Sequence, residues 1–431
     1  MTAEPDFDVI VIGGGVAGLV TGYLLADKGI NTVVIERGEA PGSKNLSGGI
    51  MYTHAIRQVF PDFVEEAPIE RIITRNQLCF LNPTGHFAID YGDQRLADAT
   101  TAVTVLRAHL DQWLADRCEA AGAMVMPGVR VDSLITDHGQ VCGVRAGDDE
   151  LRARVVVAAD GVNSFIARDA GLRGRQPTHH LAVGIKAVLK LPAAEIDERF
   201  GVSGNHGAAL AIVGDASAGI GGGGFLYTNR ETLSLGLLLR LDDLVAKGGE
   251  SAALFERFAA HPALACYLDG TELLEYGCHL VNEGGFEMMG KLVHNGLVIV
   301  GDAAGLTLNT GLVVRGMDLA VGSAIAAAKG ICQALAADDT SAAGLAGYQQ
   351  ALDESFVGQD MRTFARAPKF LETERLYRDY SQVLADMFFD IYALDGTPRR
   401  RMMSVGRKTL KHSPVGLRHL AKDGLKAVRA I

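Results

Sequence analysis

Residues 7–36 read FDVIVIGGGVAGLVTGYLLADKGINTVVIE, and this stretch decides the fold class. The apolar run DVIVI predicts a strand buried on both faces, as in a parallel sheet. A glycine turn follows, and VAGLVTGYLLADKG reads as a helix ending near Gly29 at its C-cap. TVVIE predicts a second buried strand, completing a βαβ unit. Gly13, Gly15 and Gly18 fall in GxGxxG spacing. The first permits a tight turn, the second lets backbone approach a pyrophosphate, and the third allows close helix–strand packing. Gly14, Val16 and Ala17 complete the turn and the helix start, whose free N–H groups and positive dipole end suit phosphates. Glu36 ends the second strand, placed to bind an adenosine ribose hydroxyl, and its charge would repel a 2′-phosphate. Arg37 is a candidate for the neighbourhood of the adenine, a solvated surface arginine being the alternative.

Two later stretches repeat the pattern of a buried strand entering a polar turn. VVVAADGVNS delivers Asp160 and Gly161, a pattern resembling the DG fingerprint of flavin-dependent hydroxylases and their relatives. An Asx turn that only closes a loop is the alternative there. LVIVGDAAGLTLNTG delivers Gly301 and Asp302, with Gly311 expected to open the next helix and Leu312 beside it. A carboxylate at Asp302 can accept from the ribityl hydroxyls of a flavin. The helix start beyond it can face the pyrimidine end and stabilise an anionic reduced ring. PGSKNLSGG at 41–49 offers donors from Asn45, Ser47 and the backbone at Gly48, with a positive charge at Lys44; an ordinary solvated loop is the alternative. Arg107 would cap a flavin phosphate if it follows the folds of those flavin-dependent relatives, a surface ion pair being the alternative. Val131 joins the candidate cofactor contacts.

The bulk properties agree with an enzyme that holds a large cofactor. The 431 residues are 48% hydrophobic and 21% charged, ordinary for a soluble globular chain. The 52 glycines exceed the usual share of about 7%, which suits close backbone approach to a ligand. Six cysteines are scattered without a CxxC pair, so neither a zinc ribbon nor an iron–sulfur centre is encoded locally, and no metal ligands are expected. The N-terminus lacks the pattern of a secretory signal, and a cytoplasmic location is expected. The most membrane-like stretch, residues 320–337, is interrupted by Lys329 and predicts a buried helix.

Residues 98–122 read as a helix with Leu106, Leu110, Trp113 and Leu114 on one stripe. MVMPGVRVDSLITDHGQVCGVRAG reads as a β-meander with turns at HG and AGDD. From 181 to 280 the alternation has period two, notably in AVGIKAVLKL and in the pair GGFLYTN and TLSLGLLLRL. The expected fold is α/β: a doubly wound, Rossmann-like FAD-binding domain of the glutathione-reductase type, with an inserted antiparallel sheet domain and a helical C-terminal region. The expected limits are 1–77, 98–180 and 281–345 for the FAD domain. The sheet domain takes 78–97 and 181–280, and the helical region 346–431.

At this point the sequence resembles the p-hydroxybenzoate-hydroxylase-like flavoproteins, a class that includes geranylgeranyl reductases and electron-transfer-flavoprotein:quinone oxidoreductases. Within it the resemblance is to the FixC proteins, over nearly the whole chain. PGSKNLSGG, GGGGFLYTNRETLSLGLLL at 221–239, GDAAGLTLNTGLVVRGMDLA at 301–320 and the C-terminal HLAKDGLKAV carry it. The Tyr-x-Trp-x-Phe-Pro segment usual in geranylgeranyl reductases is missing, since the single tryptophan is Trp113. The resemblance implies FAD as cofactor, a two-subunit electron transfer flavoprotein as electron donor and a quinone as acceptor. No cysteine follows Cys332, in contrast to the longer quinone oxidoreductases with a cysteine-held cluster. The resemblance therefore implies a separate ferredoxin-like iron–sulfur subunit. The alternatives are a free-standing reductase or hydroxylase using NAD(P)H on an isoprenoid or aromatic substrate, and an interaction protein without cofactor.

The tail differs in charge. Residues 399–431 hold ten Lys and Arg against the single Asp423, although the whole chain carries −10. Leu420, Ala421, Gly424, Leu425 and Val428 fall at helical spacing, with Arg418, Lys422, Lys426 and Arg429 off that stripe. Such a helix suits an anionic membrane surface or an acidic partner, packing on its own protein being the alternative. A peripheral position on the inner face of the cell membrane is expected, and no nucleic-acid partner.

Overall fold

Strands Leu297–Ile299, Asp149–Ala158, Phe7–Ile12, Thr32–Ile35 and Met124–Met126 lie side by side and parallel in the computed structural model, which describes residues 4–45 and 48–431. Val9, Ile10, Val11, Val33, Val34, Val155, Val156 and Val157 are fully buried, as a sheet covered on both faces requires. Helix Val16–Ala26 leaves the first strand through the glycine turn and packs against helices Arg107–Ala120 and Met317–Ala336. Met317–Ala336 is long and apolar enough to cross a membrane by length and composition. Here Leu319, Val321, Ala324, Ala327 and Ile331 bury it in the first core.

A second sheet runs in the order Glu272–Asn282, Leu181–Lys190, Thr232–Arg240, Gly222–Thr228, His206–Gly214, Ile69–Asn82, Ala102–Val105 and Gly49–Tyr52. It is antiparallel apart from the pairing of His206–Gly214 with Ile69–Asn82. Period two is plain on Leu181–Lys190: Ile185 and Ala187 enter a core with Leu235, Leu237, Phe255 and Phe258, while Lys186 points to the opposite face. The protein is thus a mixed α/β chain with a helical C-terminal region from Ala346 to Ala430. Ile69–Asn82 passes unbroken through the expected limit at 77/78, and Gly49–Tyr52 and Ala102–Val105 belong to the same sheet.

Three local expectations are corrected. Residues 98–122 are not one helix: Ala102–Val105 is a strand, because its Val and Thr side chains fit a buried pleat, and the helix begins at Arg107. Met124–Met126 extends the parallel sheet beside Thr32–Ile35, and the meander starts only at Ser133. Gly311 does not open a helix. It lies in the bend of a short hairpin between Leu308–Asn309 and Val314–Arg315, and the helix starts at Met317.

Candidate functional site

The glycine turn is closed to side chains at two positions. A Cβ on Gly13, whose φ is +110°, would lie 2.3 Å from the Ala159 carbonyl oxygen, and one on Gly18 would lie 1.9 Å from that of Gly13. Gly15 caps helix Val16–Ala26 with no side-chain hydrogen bond, and a Cβ on it would meet only an Arg107 Nη2 at 3.6 Å. The amides of Val16, Ala17 and Gly18 thus face an open cradle with no intrahelical acceptor. Glu36 is half-buried; its Oε2 accepts from the Gly14 amide at 2.8 Å and its Oε1 from the Gly38 amide at 2.6 Å. The carboxylate thereby ties the turn to the end of the second strand.

Arg107, the first residue of its helix, reaches the same cradle. Its guanidinium donates in bidentate fashion to fully buried Asp111, Nε to Oδ1 and Nη2 to Oδ2 at 2.7 Å each. Asn45 Nδ2 donates to the same carboxylate at 3.1 Å, so that side chain anchors its loop instead of standing free. Asp111, one helical turn beyond Arg107, was not singled out from sequence; the i,i+4 spacing of opposite charges was the available signal. Lys44 and Arg37 are exposed, Val131 is half-buried against the first core, and Ser47 lies outside the described residues.

The second and third turns close on the first. The Cβ position of Gly13 is 3.2 Å from Asp160 Cα, and that of Gly301 is 2.7 Å from Ala17 Cβ. Asp160 accepts from Ser164 Oγ at 2.7 Å and the Ile166 amide at 3.3 Å, so its carboxylate is used within its own loop, next to Gly161 with φ +78°. Burial pushes the Asp160 carboxyl above its usual range. Asp302 is half-buried and its carboxylate makes no hydrogen bond among the described residues. Burial raises its pKa, opposed by the charges of Arg107, Arg173 and Lys186.

Arg173 was invisible in the sequence. It is buried and donates from Nη1 to the carbonyls of Val162, Asp302 and Ala303 at 3.1, 3.2 and 3.0 Å. One side chain thus clamps the turn after Asp160 to the turn at Asp302. Asn282 adds a bond from Nδ2 to the Asp302 carbonyl at 3.1 Å. Gly311 and Leu312 are not brought into this cluster: a Cβ on Gly311 would meet Leu371 at 3.1 Å, and Leu312 is exposed.

The second sheet supplies the opposing wall. Gly48, buried with φ +88°, lies against Ser234, where an added Cβ would come within 2.0 Å of Oγ. Lys186 Nζ donates to the Gly48 carbonyl at 3.4 Å and lies 5.7 Å from the centre of the Phe225 ring. Phe225 stacks on Tyr227 at 4.5 Å. An open helix amino end beside Arg107, a carboxylate at the ribose end of the second strand and a free carboxylate at Asp302 fit a dinucleotide whose far end is a flavin.

The comparisons agree with this geometry. The sequence pattern of a family described as FAD binding domain matches residues 6–203, and that of the ETF-QO/FixC family C-terminal domain matches residues 367–431. The probable electron transfer flavoprotein-quinone oxidoreductase YdiS of Escherichia coli K12 is 42% identical over the whole of both chains. Protein FixC of Salmonella typhi is 41% identical, again over all of both chains. Among solved structures, a geranylgeranyl bacteriochlorophyll reductase-like protein from Thermoplasma acidophilum superposes with a TM-score of 0.71 at 19% identity, covering 98% of this chain and 99% of its own. The flavin-dependent brominase Bmp2 superposes at 0.63 and 17% identity, covering 94% and 98%. At that identity the two structures speak for the fold alone. The cofactor is FAD.

Proposed function

This chain belongs to the electron-transfer-flavoprotein:quinone oxidoreductase/FixC family of FAD-dependent electron-transfer oxidoreductases, and from that premise we propose that it passes electrons from a reduced electron transfer flavoprotein to a quinone. The observation that carries the reading is the convergence of three turns at the carboxyl ends of adjacent parallel strands, closed by Arg107 and Arg173. Bound FAD supplies two-electron and one-electron redox chemistry. The residues of the chain do the rest. The amides from Val16 to Gly18 and the Arg107 guanidinium would hold the pyrophosphate, Glu36 the ribose, and Asp302 the ribityl hydroxyls. The wall of Lys186, Phe225 and Tyr227 would exclude water and offer an apolar approach to the quinone ring. No side chain need act as nucleophile.

A separate ferredoxin-like subunit belongs to this proposal, since among the described residues no three or more His, Cys, Asp or Glu are grouped to hold a metal. So does attachment to an anionic membrane surface. Helix Leu417–Ala430 packs on the protein through Asp423 and Ala430, whereas Leu425 and Val428 of its apolar stripe, and Leu417 at its start, are exposed among basic residues. Phe389, Tyr392, Leu394, Met402 and Met403 in the preceding segments are exposed as well. Apolar side chains interleaved with Lys and Arg suit an anionic lipid interface.

Anaerobic mixing tests the reading. Bleaching of the flavin absorbance by the reduced partner flavoprotein, with reoxidation by a water-soluble quinone, is the expected result. Rapid bleaching by NADPH alone would overturn it in favour of a free-standing reductase. Cosedimentation with anionic but not neutral vesicles, reversed by salt, checks the membrane part.

A further inference from the structure

We propose that Lys186 is the cation against which the reduced flavin of this protein accumulates its negative charge, so that a lysine of the second sheet sets how strongly the cofactor holds electrons. This rests on the flavin placement proposed above. A ring that has taken up two electrons and one proton from its donor carries one net negative charge, and that charge needs a counter-charge in a site shielded from water.

The strand register presents Lys186 to the cleft. Lys186 pairs with Gly236, and Gly236 pairs with Phe225, so the three form one row across adjacent strands. Glycine is required in the middle of that row: a Cβ on Gly236 would lie 2.1 Å from the tip of the Phe225 ring. The ring therefore lies over Gly236, and the lysine ammonium lies 5.7 Å from its centre while it donates to Gly48.

The charges around Lys186 leave it as the available cation. Of the other basic groups that share this pocket, Arg37 is exposed, and His279 on the neighbouring strand is held below its usual range by burial and by the charges of Lys186, Arg37 and Arg107, so it is neutral at pH 7. Arg107 is held by Asp111 in a bidentate pair, and the Nη1 of Arg173 is spent on three carbonyls. Lys186 has no carboxylate within ion-pair distance among the described residues; its hydrogen bond goes to a carbonyl, and Asp302 acts on it only at longer range. Burial and the Arg107 charge lower the Lys186 pKa to about 8, the mark of a site that would gain from an arriving anion. The helix beyond Asp302 is a weaker candidate than its sequence implied. It starts at Met317, and its first turn already carries buried Asp318, paired with Arg315, against its positive end.

The test uses the full-length, FAD-loaded protein with sulfite as probe. Sulfite adds its lone pair to the oxidised ring, forming a sulfur–nitrogen bond and leaving the ring negatively charged, so its affinity reports the counter-charge without any turnover. Lys186→Met should weaken sulfite binding about tenfold or more. The equilibrium potential should fall in step, a tenfold change being about 30 mV for a two-electron couple. Lys186→Arg should stay within about threefold of the unmodified protein. In the unmodified protein, sulfite affinity should decline from about pH 7 to about pH 9 as the lysine loses its proton, and Lys186→Arg should abolish that decline. A Lys186→Met protein that retains FAD with unchanged sulfite affinity and potential overturns the proposal. If that variant fails to fold, Lys186→Gln with unchanged sulfite affinity and potential overturns it equally. Failure of the flavin placement reads differently: a folded Gly13→Val protein that keeps stoichiometric FAD would overturn the placement, whatever Lys186 does.

Discussion

The two walls of the cofactor cleft are built on opposite principles. The parallel sheet contributes mainly backbone: open amides at Val16–Gly18 and turns so tight that Gly13 and Gly18 admit no Cβ. The second sheet contributes side chains, Lys186, Phe225 and Tyr227, standing on one face of a pleat whose other face is ordinary core. A backbone cradle tolerates no substitution where two backbone segments touch. A side-chain wall can be altered one charge at a time with the fold intact. The difference implies that binding of FAD and tuning of FAD are separable by mutation.

The largest effect should come from the backbone wall. Gly18→Val places atoms into the Gly13 carbonyl and should cost more than about 4 kcal/mol. The expected outcome is a colourless or insoluble protein, measured as the flavin-to-protein absorbance ratio after purification. Asp111→Ala should follow, at about 3 kcal/mol, because it strands Arg107 and frees the loop held by Asn45. It should lower both the denaturant midpoint and FAD affinity, and retention of both would break the view that Arg107 is positioned by its pair. Arg173→Met should cost about 2 kcal/mol by leaving the carbonyls of Val162, Asp302 and Ala303 without that donor. Faster exchange of FAD with free cofactor is the readout. Proteolytic nicking near either turn would locate the loosening.

The smallest effect is expected far from the cleft. Asp423 accepts from Arg375 at 2.7 Å and Tyr380 at 2.7 Å, and the Arg375 bond, ahead of the Tyr380 bond, holds its carboxyl below the usual range. A depressed carboxyl stabilises the fold above its ordinary pKa of about 3.9 and loses that contribution as pH falls through the lower folded value. Asp423 is buried but Arg375 is part-exposed, and Asn keeps an acceptor oxygen for one of the two donors, so Asp423→Asn should cost about 1 kcal/mol at neutral pH, with the difference from the unmodified protein vanishing in strong acid. Denaturant curves at a few pH values check it, and FAD content should not change.

The glycine turn and the two later strand-turn units were legible because close backbone contact is written locally as glycine in fixed spacing after an apolar run. The same local signal misled at Gly311, where a glycine with φ +83° serves a hairpin bend instead of a helix start. It misled again at residues 102–105, where an apolar run could be strand or helix until the second sheet claimed it. The C-terminal stripe was legible as a helix, but which side would face the protein was not. The buried pair of Asp423 with Arg375, a contact across 48 residues, turned Leu425 and Val428 outward.

By itself, then, the sequence determined the α/β class and the dinucleotide turn, and it singled out the carboxylates of Glu36 and Asp302 as candidates, since each depends on neighbours within one strand-turn-helix unit. Only the tertiary structure decided that Asp111 would hold Arg107, that Arg173 would clamp the nearby turn at Val162 to the turn at Asp302, 129 residues from it in sequence, and that Lys186 would face the cleft. Those facts depend on strand register and on which surfaces meet, and a one-residue slip in an antiparallel sheet would have turned Lys186 into the opposite core.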